Sequence, residues 1–458
     1  MLPDVVLLEM FDFYISGIED WHTLIHVCRR WRNIVFSSPR RLDLQLHYTP
    51  RRPVTEMLNI WPELPFHVSY RDDPRVVEGT DNLTAALKLK GSISSINLDL
   101  CSAVWEKIAA VMEDPFPILR FLSLWSSGEM IPVISDSFLG GGYAPRLQHL
   151  LLHGIPFPVL PNLLSSAANN LVYLGFWDIP HSGYISPEAM VTYISVLTRL
   201  ETLSLRFQSP RSRPDRAGQF LPPPSRTLLP ALTYFGFTGA TEYLENLVAR
   251  IDAPLLESSD IAFFNQLLFD IVQSPNLASY MKTFTGLGRA DVVLGGHSII
   301  ITLSPKGGTV DSIKLEMEIK CNKVDWQLSA LAQVYNLYMP TLHSLEHLSI
   351  CDDRDQSPHW QDDMENTQWT ELLDPFAAVK DLYLSKEVAL RVASALQELS
   401  EEQVTEVLPT LQDIFIDDLQ PFGFIQEAFR DFVATRRRQV SGHPVGIHRW
   451  IREEEKLE

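Results

Sequence analysis

Apolar residues recur along this chain in one short phrase: an apolar position, two variable ones, a second apolar position, one variable one, and a third apolar position. It reads Ile93-x-x-Ile96-x-Leu98, Leu119-x-x-Leu122-x-Leu124, Leu147-x-x-Leu150-x-Leu152 and Leu171-x-x-Leu174-x-Phe176. It continues as Leu200-x-x-Leu203-x-Leu205 and Leu232-x-x-Phe235-x-Phe237. It returns at Val310-x-x-Ile313-x-Leu315, Leu345-x-x-Leu348-x-Ile350, Val379-x-x-Leu382-x-Leu384 and Leu411-x-x-Ile414-x-Ile416. Alternation of period two predicts a strand with one face turned inward. Between phrases the period becomes helical. Val104, Ile108, Val111 and Met112 form one predicted stripe, and Met190, Tyr193, Ile194 and Leu197 a second. A third runs through Leu328, Leu331, Ala332, Tyr335 and Tyr338.

From middle residue to middle residue the first six phrases step by 26, 28, 24, 29 and 32, and the last four by 35, 34 and 32. This is the leucine-rich-repeat pattern. Each unit hides its apolar edge against the next. The gap from Phe235 to Ile313 leaves room for two less regular units, with Pro254–Phe264 and Ala290–Leu303 as candidates, which makes twelve. The expected fold is α/β: an irregular leucine-rich-repeat solenoid, horseshoe-like, with parallel strands. A single α/β domain around one parallel sheet is the competing reading, and the shared phrase favours the solenoid. Trp125, Trp177, Arg206 and Tyr383 occupy variable positions, so they are candidate anchors on the concave face. Ser209–Ser225, with five prolines and three arginines, is expected to be an exposed loop.

The first forty residues follow a different pattern. Leu2-Pro3-Asp4 opens a helix, with proline where its missing N–H matters least. Leu7, Leu8 and Phe11 then recur at helical spacing, and Gly17 punctuates the run. A second helix is predicted over Trp21 to Val27. A third runs from Val27 or Cys28 towards Phe36, carries Val27, Trp31 and Val35 on one face, and stops at Pro39. Three short helices bury little apolar surface by themselves, so this unit needs a neighbour or a partner.

The run LPDVVLLEMF, then Leu24, then Val27-Cys28-Arg29-Arg30-Trp31, and finally Ser37-Ser38-Pro39-Arg40, resembles an F-box. That resemblance implies a three-helix module that binds a Skp1-like adaptor protein and, through it, a cullin. Carried onto this chain, Leu2, Pro3, Leu7, Leu8 and Phe11 would face the adaptor, with Leu24, Val27, Cys28 and Trp31 helping. Phe422, Ile425, Phe429 and Phe432 fit an amphipathic closing helix, followed by Arg436-Arg437-Arg438 and Ser441-Gly442-His443-Pro444. With the SSPRRLDL run after the first module and the stretch from Ala434 to Trp450, this is similar to F-box-like leucine-rich-repeat proteins abundant in basidiomycete fungi. The implied organisation is an F-box-like helical module at 1–40, a joining region at 41–92, the solenoid at 93–420, and a C-terminal helix and tail at 421–458. The implied role is substrate recognition in an SCF-type ubiquitin ligase. The alternative is a leucine-rich-repeat scaffold in which the helical module only caps the array.

Composition narrows the rest. The chain has 458 residues and a formal charge of −19, which disfavours nucleic acid as a partner. The four cysteines form no CxxC pair and no disulfide framework. No run approaches a membrane span and no signal peptide is legible, so an intracellular location, cytoplasmic or nuclear, is expected. His343 and His347 flank Leu345-Glu346 as HxxEH, on a predicted strand, where they do not form a helical zinc site. Gly140-Gly141-Gly142 and Gly307-Gly308 lack the lysine of a phosphate loop and read as bends. Asp352, Asp353, Asp355, Asp362, Asp363 and Glu365 lack the spacing of a calcium loop. No cofactor, metal or enzymatic site is expected.

Overall fold

The protein is seen in a computed structural model. It describes residues 2–15, 20–49, 52–60, 64–71, 80–126, 134–212, 226–264, 275–307, 312–321, 323–338, 340–358, 360, 366–400, 403–417, 423–439 and 445–450. The chain divides into two compact units, residues 1–208 with 227–232, and residues 209–226 with 233–458.

The first unit opens with three helices, α1 (Asp4–Tyr14), α2 (Asp20–Val27) and α3 (Arg29–Ser37). Seven strands follow: β1 (Leu46–His47), β2 (Phe66–Arg71), β3 (Ile93–Leu100), β4 (Phe121–Ser126), β5 (His149–His153), β6 (Tyr173–Ile179) and β7 (Thr202–Phe207). They lie side by side in chain order, all parallel. Parallel neighbours need a crossover of a dozen or more residues, and the helical segments between phrases supply it. Two strands, β1 and β2, precede the first phrase; β1 is only two residues long, and β2, with Phe66, Val68 and Tyr70 inward, lies in the stretch 41–92 expected to be a joining region.

Inner positions seal the unit. Ile96, Leu98, Leu122, Leu124, Leu150, Leu174, Leu203 and Leu205 have no exposed surface. Burying one such side chain fully contributes roughly 1.5–3 kcal/mol. The helix Ser102–Val111 turns Trp105 and Ile108 inward, with Met112 beyond its end; Val104 and Val111, expected on that stripe, are only half-buried. The larger indole takes the inward position. Leu139, Gly140 and Gly141 all have φ between 54° and 72°, a left-handed bend at the place the glycine run predicts. A β-carbon on Gly140 would meet the ring of Pro115 at 2.9 Å.

The second unit departs from a simple array. Its long strands are β9 (Tyr234–Gly239), β11 (Ser258–Phe263), β12 (Leu287–Leu294), β13 (Ser298–Pro305), β14 (Leu315–Lys320), β15 (His347–Asp352), β16 (Asp381–Leu384), β17 (Asp413–Asp417) and β18 (Gly446–Trp450). The two-residue strands β8 (Thr227–Leu228) and β10 (Ile251–Asp252) stand outside these series. The spatial order is β9-β11-β14-β13-β12-β15-β16-β17-β18. Most pairs are parallel, but β13 runs antiparallel to both β12 and β14.

Two expectations are corrected here. Pro254–Phe264 does carry a parallel strand, but Ala290–Leu303 is not a repeat unit. It covers most of a two-stranded β-hairpin, because Gly295, Gly296 and His297, which join its strands, are too few to cross over. The phrase from Val310 is also misplaced. Val310 lies outside the described residues, and the strand starts only at Leu315, with Leu315, Met317 and Ile319 inward. The remaining phrases of this unit hold: Leu348, Ile350, Leu382, Leu384, Ile414 and Ile416 are fully buried. The closing helix spans Phe424–Gln439 and buries Phe429 and Phe432; Phe422 and Ser441–Pro444 lie outside the described residues. Arg436 is buried as well, donating to the carbonyls of Val407 and Pro409. Each unit is thus an α/β series of alternating strands and helices, in the manner of a leucine-rich-repeat array.

Candidate interaction surfaces

The N-terminal helices place the residues singled out from the sequence on two sides. Leu7, Phe11 and Leu24 face inward and are buried against the rest of the module. Phe11 meets Trp31 with ring centres 4.8 Å apart, and Trp31 and Leu8 are half-buried. Leu2, Pro3, Val27 and Cys28 are exposed. Cys28 caps α3 by accepting from the Trp31 amide at 3.5 Å. The reason is the small size of the module: Trp21, Ile25, Ile34 and Val35 form its interior, and α1 must contribute its Leu7–Phe11 stripe to close it.

Sequence reasoning missed the other side of α1. Val5 is 63% exposed, Phe13 is 94% exposed, and Val6, Met10 and Tyr14 are exposed beside them. The signal was present, since α1 is apolar almost all round, and such a helix is normally covered on both sides. Polar ties fix the module. Arg30 bonds Asp4 at 2.6 Å and the Leu2 carbonyl, and Arg41 pairs with Glu9. The buried Trp21 indole donates to the Gln45 carbonyl at 3.1 Å, which fastens the helices to the chain that follows.

The strands of the first unit turn their variable positions outward in three rows. One row is His47, His67, Ser95, Phe121, His149 and Tyr173, aligned strand to strand. A middle row is mostly small and polar: Ser69, Asn97, Ser123, Gly175 and Ser204, with Leu151 among them. A third carries Arg71, Asp99, Trp125, His153 and Trp177, with Arg206 beside them. The large rings lie down over the small row. Trp125 donates to the Ser123 hydroxyl at 2.8 Å and Trp177 to the Ser204 hydroxyl at 3.1 Å. The Trp125 ring stacks on His153 at 4.4 Å, and the Arg206 guanidinium sits 5.1 Å from the Trp177 ring. A β-carbon on Gly175 would press on Leu151 and Tyr173 at 2.8–3.0 Å, so glycine lets them lie flat. Burial and the neighbouring His47 push the His67 imidazole down to about 4.

The corresponding face of the second unit carries carboxylates. Asp260, Glu316, Glu318, Asp291, Asp381, Asp413 and Asp417 all project there. Several are paired: Asp291 with Arg289, Asp381 with His347 at 2.8 Å, and Asp413 with His448 at 2.7 Å. At its β16–β18 end Tyr383 stacks on Phe415 at 4.6 Å, with Trp450 edge-on. Of the candidate anchors, Trp125, Trp177 and Arg206 therefore share the strand face of the first unit, and Tyr383 lies in the second unit.

The remaining chemical candidates come apart. His347 pairs with Asp381 on its sheet, while His343 belongs to the short helix Pro340–Ser344. Asp353 accepts amides from Asp355 and Gln356, and Asp352 binds Ser385; Asp362, Asp363 and Glu365 lie outside the described residues. Among the described residues no cluster of His, Cys, Asp or Glu could hold a metal ion, and the four cysteines are free. No described helix is long and apolar enough to cross a membrane.

No protein-family model matches the chain, and no curated protein matches it. Among solved structures it is similar to the leucine-rich repeat-containing protein LegL7 from Legionella pneumophila, at 14% identity over 85% of this chain and 96% of that one, with a TM-score of 0.30. That likeness is too loose to carry an argument.

Proposed function

We propose that this chain is the target-recognition subunit of an SCF-type ubiquitin ligase, a protein-interaction scaffold with no chemistry of its own. The observation behind the reading is the bare apolar face of α1, Val5, Val6, Met10, Phe13 and Tyr14, within a segment that resembles an F-box. Apolar surface concentrated on one terminal helix of a soluble chain marks a protein contact. The adaptor would cover that face and the exposed Leu2, Pro3 and Val27. Leu7, Phe11, Leu24 and Trp31 would hold the helices in place behind it. A target would lie on one of the strand faces, and the rate gain would come from holding its lysines near a ubiquitin-charged enzyme on other subunits.

The test is calorimetry of the full chain with a purified Skp1-like adaptor. Replacing Met10 and Phe13 by Asp puts charge on the contact without touching the interior. Binding should fall by about a hundredfold or more, roughly 2.7 kcal/mol, with the melting temperature unchanged. No association of the unaltered chain at high micromolar adaptor would sink the ligase reading.

The second reading, a scaffold whose helices only cap the array, draws on the Trp21–Gln45 bond. It predicts that disrupting Trp21 costs stability and that no adaptor binds at all.

A further inference from the structure

The interior of the first unit is not closed everywhere. Leu98, Leu124 and Leu205, the corresponding inner positions of β3, β4 and β7, have no exposed surface. The equivalent Leu152 and Phe176, on β5 and β6, border a cavity of about 560 Å3. The cavity is half open to solvent, with Pro158 and Ser182 exposed at its rim. A space of this size falls in the range of roughly 300–1,000 Å3 that holds small ligands.

Its walls are built rather than accidental. One is the segment leaving β5, Ile155 to Pro158, which runs on into Leu160 and Pro161. The other is Ile179 with Ser182 to Ile185, leaving β6. Pro156, Pro158 and Pro161 fix the backbone torsion of the first wall, so it cannot collapse into the space as a flexible loop would. A β-carbon on Gly183 would touch Pro156 at 3.1 Å, which shows how closely the two walls meet at one end. Among the described residues no charged side chain lines the cavity, in a chain of net charge −19. A carboxylate or ammonium group entering it would lose water and find no counter-charge.

We propose that this cavity binds a small uncharged lipophile, its apolar body lying against Leu152, Phe176 and Ile155. The site is independent of the adaptor face on α1 and of any target bound to the strand faces.

Titrating the full chain with the uncharged fluorophore N-phenyl-1-naphthylamine tests it. One saturable site is expected, displaced by 1-dodecanol. Laurate and dodecyltrimethylammonium, of equal chain length, should displace it at least about tenfold less well. Ile155→Trp fills the space and should weaken the probe by about tenfold or more. Met10→Asp/Phe13→Asp, which changes the other apolar surface of this unit, should leave it bound. If Ile155→Trp does not fold, crystals of the unaltered protein soaked with 12-bromo-1-dodecanol locate the ligand by its bromine. Absence of saturable binding overturns the proposal. So does equal displacement by laurate, bromine found elsewhere, retention of the probe by folded Ile155→Trp, or loss of the probe on raising the protein concentration, which would mean that a second copy fills the cavity.

Discussion

The two units repeat one inner row and differ on the opposite side of their strands. Inward, buried apolar residues, mostly Leu, Ile and Phe, alternate along the strands of both. Outward, the first unit shows indole rings lying over serines with imidazoles beside them, whereas the second shows seven carboxylates, several held by histidine or arginine, and keeps its ring cluster of Tyr383, Phe415 and Trp450 to the β16–β18 end. The acidic balance follows the same division: the second unit holds 36 of the 57 Asp and Glu residues but 22 of the 38 Lys and Arg. The difference teaches that the repeat constrains only inward positions. The outward ones are free to specialise, so two surfaces that differ in charge sit on one kind of scaffold. A neutral, ring-rich surface suits contacts made by area and stacking. A carboxylate surface suits a basic partner and a salt-sensitive encounter.

The largest expected effect tests whether the inner rows are equivalent. Leu150→Ala in the first unit and Ile350→Ala in the second each empty a fully buried position. Each should cost about 2–5 kcal/mol, read as a fall in the denaturant midpoint. A cost below about 1 kcal/mol at either site would show that its row is loosely packed and that the comparison begins from a wrong premise.

An intermediate effect separates the outer faces. Trp177→Ala removes the cation–π contact with Arg206 and the edge-on contact with Trp125, and leaves the Ser204 hydroxyl without its indole donor. It should cost about 1–3 kcal/mol. Asp381→Asn on the other face breaks a partly exposed pair with His347 and should cost less than about 1 kcal/mol. Equal losses, measured under identical conditions, would erase the distinction between a packed face and a solvated one.

The smallest effects are differences in acid response. In the folded chain His67 titrates at about 4, below the usual value near 6.5, so the unfolded chain takes up its proton first. Its contribution is complete above about pH 6.5 and is lost as the pH falls towards 4. Glu346 is held down at about 2 by bonds from Lys306 and Lys380. Its contribution is present above the ordinary carboxylate value and is lost only between about pH 4.5 and 2. His67→Gln should flatten the stability profile in the upper window and Glu346→Gln in the lower. Parallel pH profiles for His67→Gln and the unaltered protein would remove His67 from the account.

Much of this was legible along the chain. The spacing of Leu122 and Leu124, or of Leu382 and Leu384, located inward strand positions, because period two leaves no other choice once one face is buried. Trp125, Trp177 and Arg206 were readable as outward for the same reason. The hairpin at Leu294–Ser298 was readable too, since three intervening residues cannot make a crossover, but expectation of another repeat concealed it. The first module was half legible: helical spacing marks Leu7 and Phe11 as one stripe without saying whether the chain or a partner covers it.

The sequence by itself determined the kind of element at each phrase, the inward residues and the uneven placement of charge, because local periodicity and composition are properties of the chain alone. The tertiary structure alone decided three things. It decided that Leu7, Phe11 and Leu24 close the module while Met10 and Phe13 stay bare, since burial depends on what packs opposite. It decided that β12, β13 and β14 enter the sheet in reverse order, since strand pairing is a choice among distant partners. And it decided that Leu152 and Phe176 border an open cavity where Leu124 and Leu205 do not, since packing density is set by how two separate loops meet.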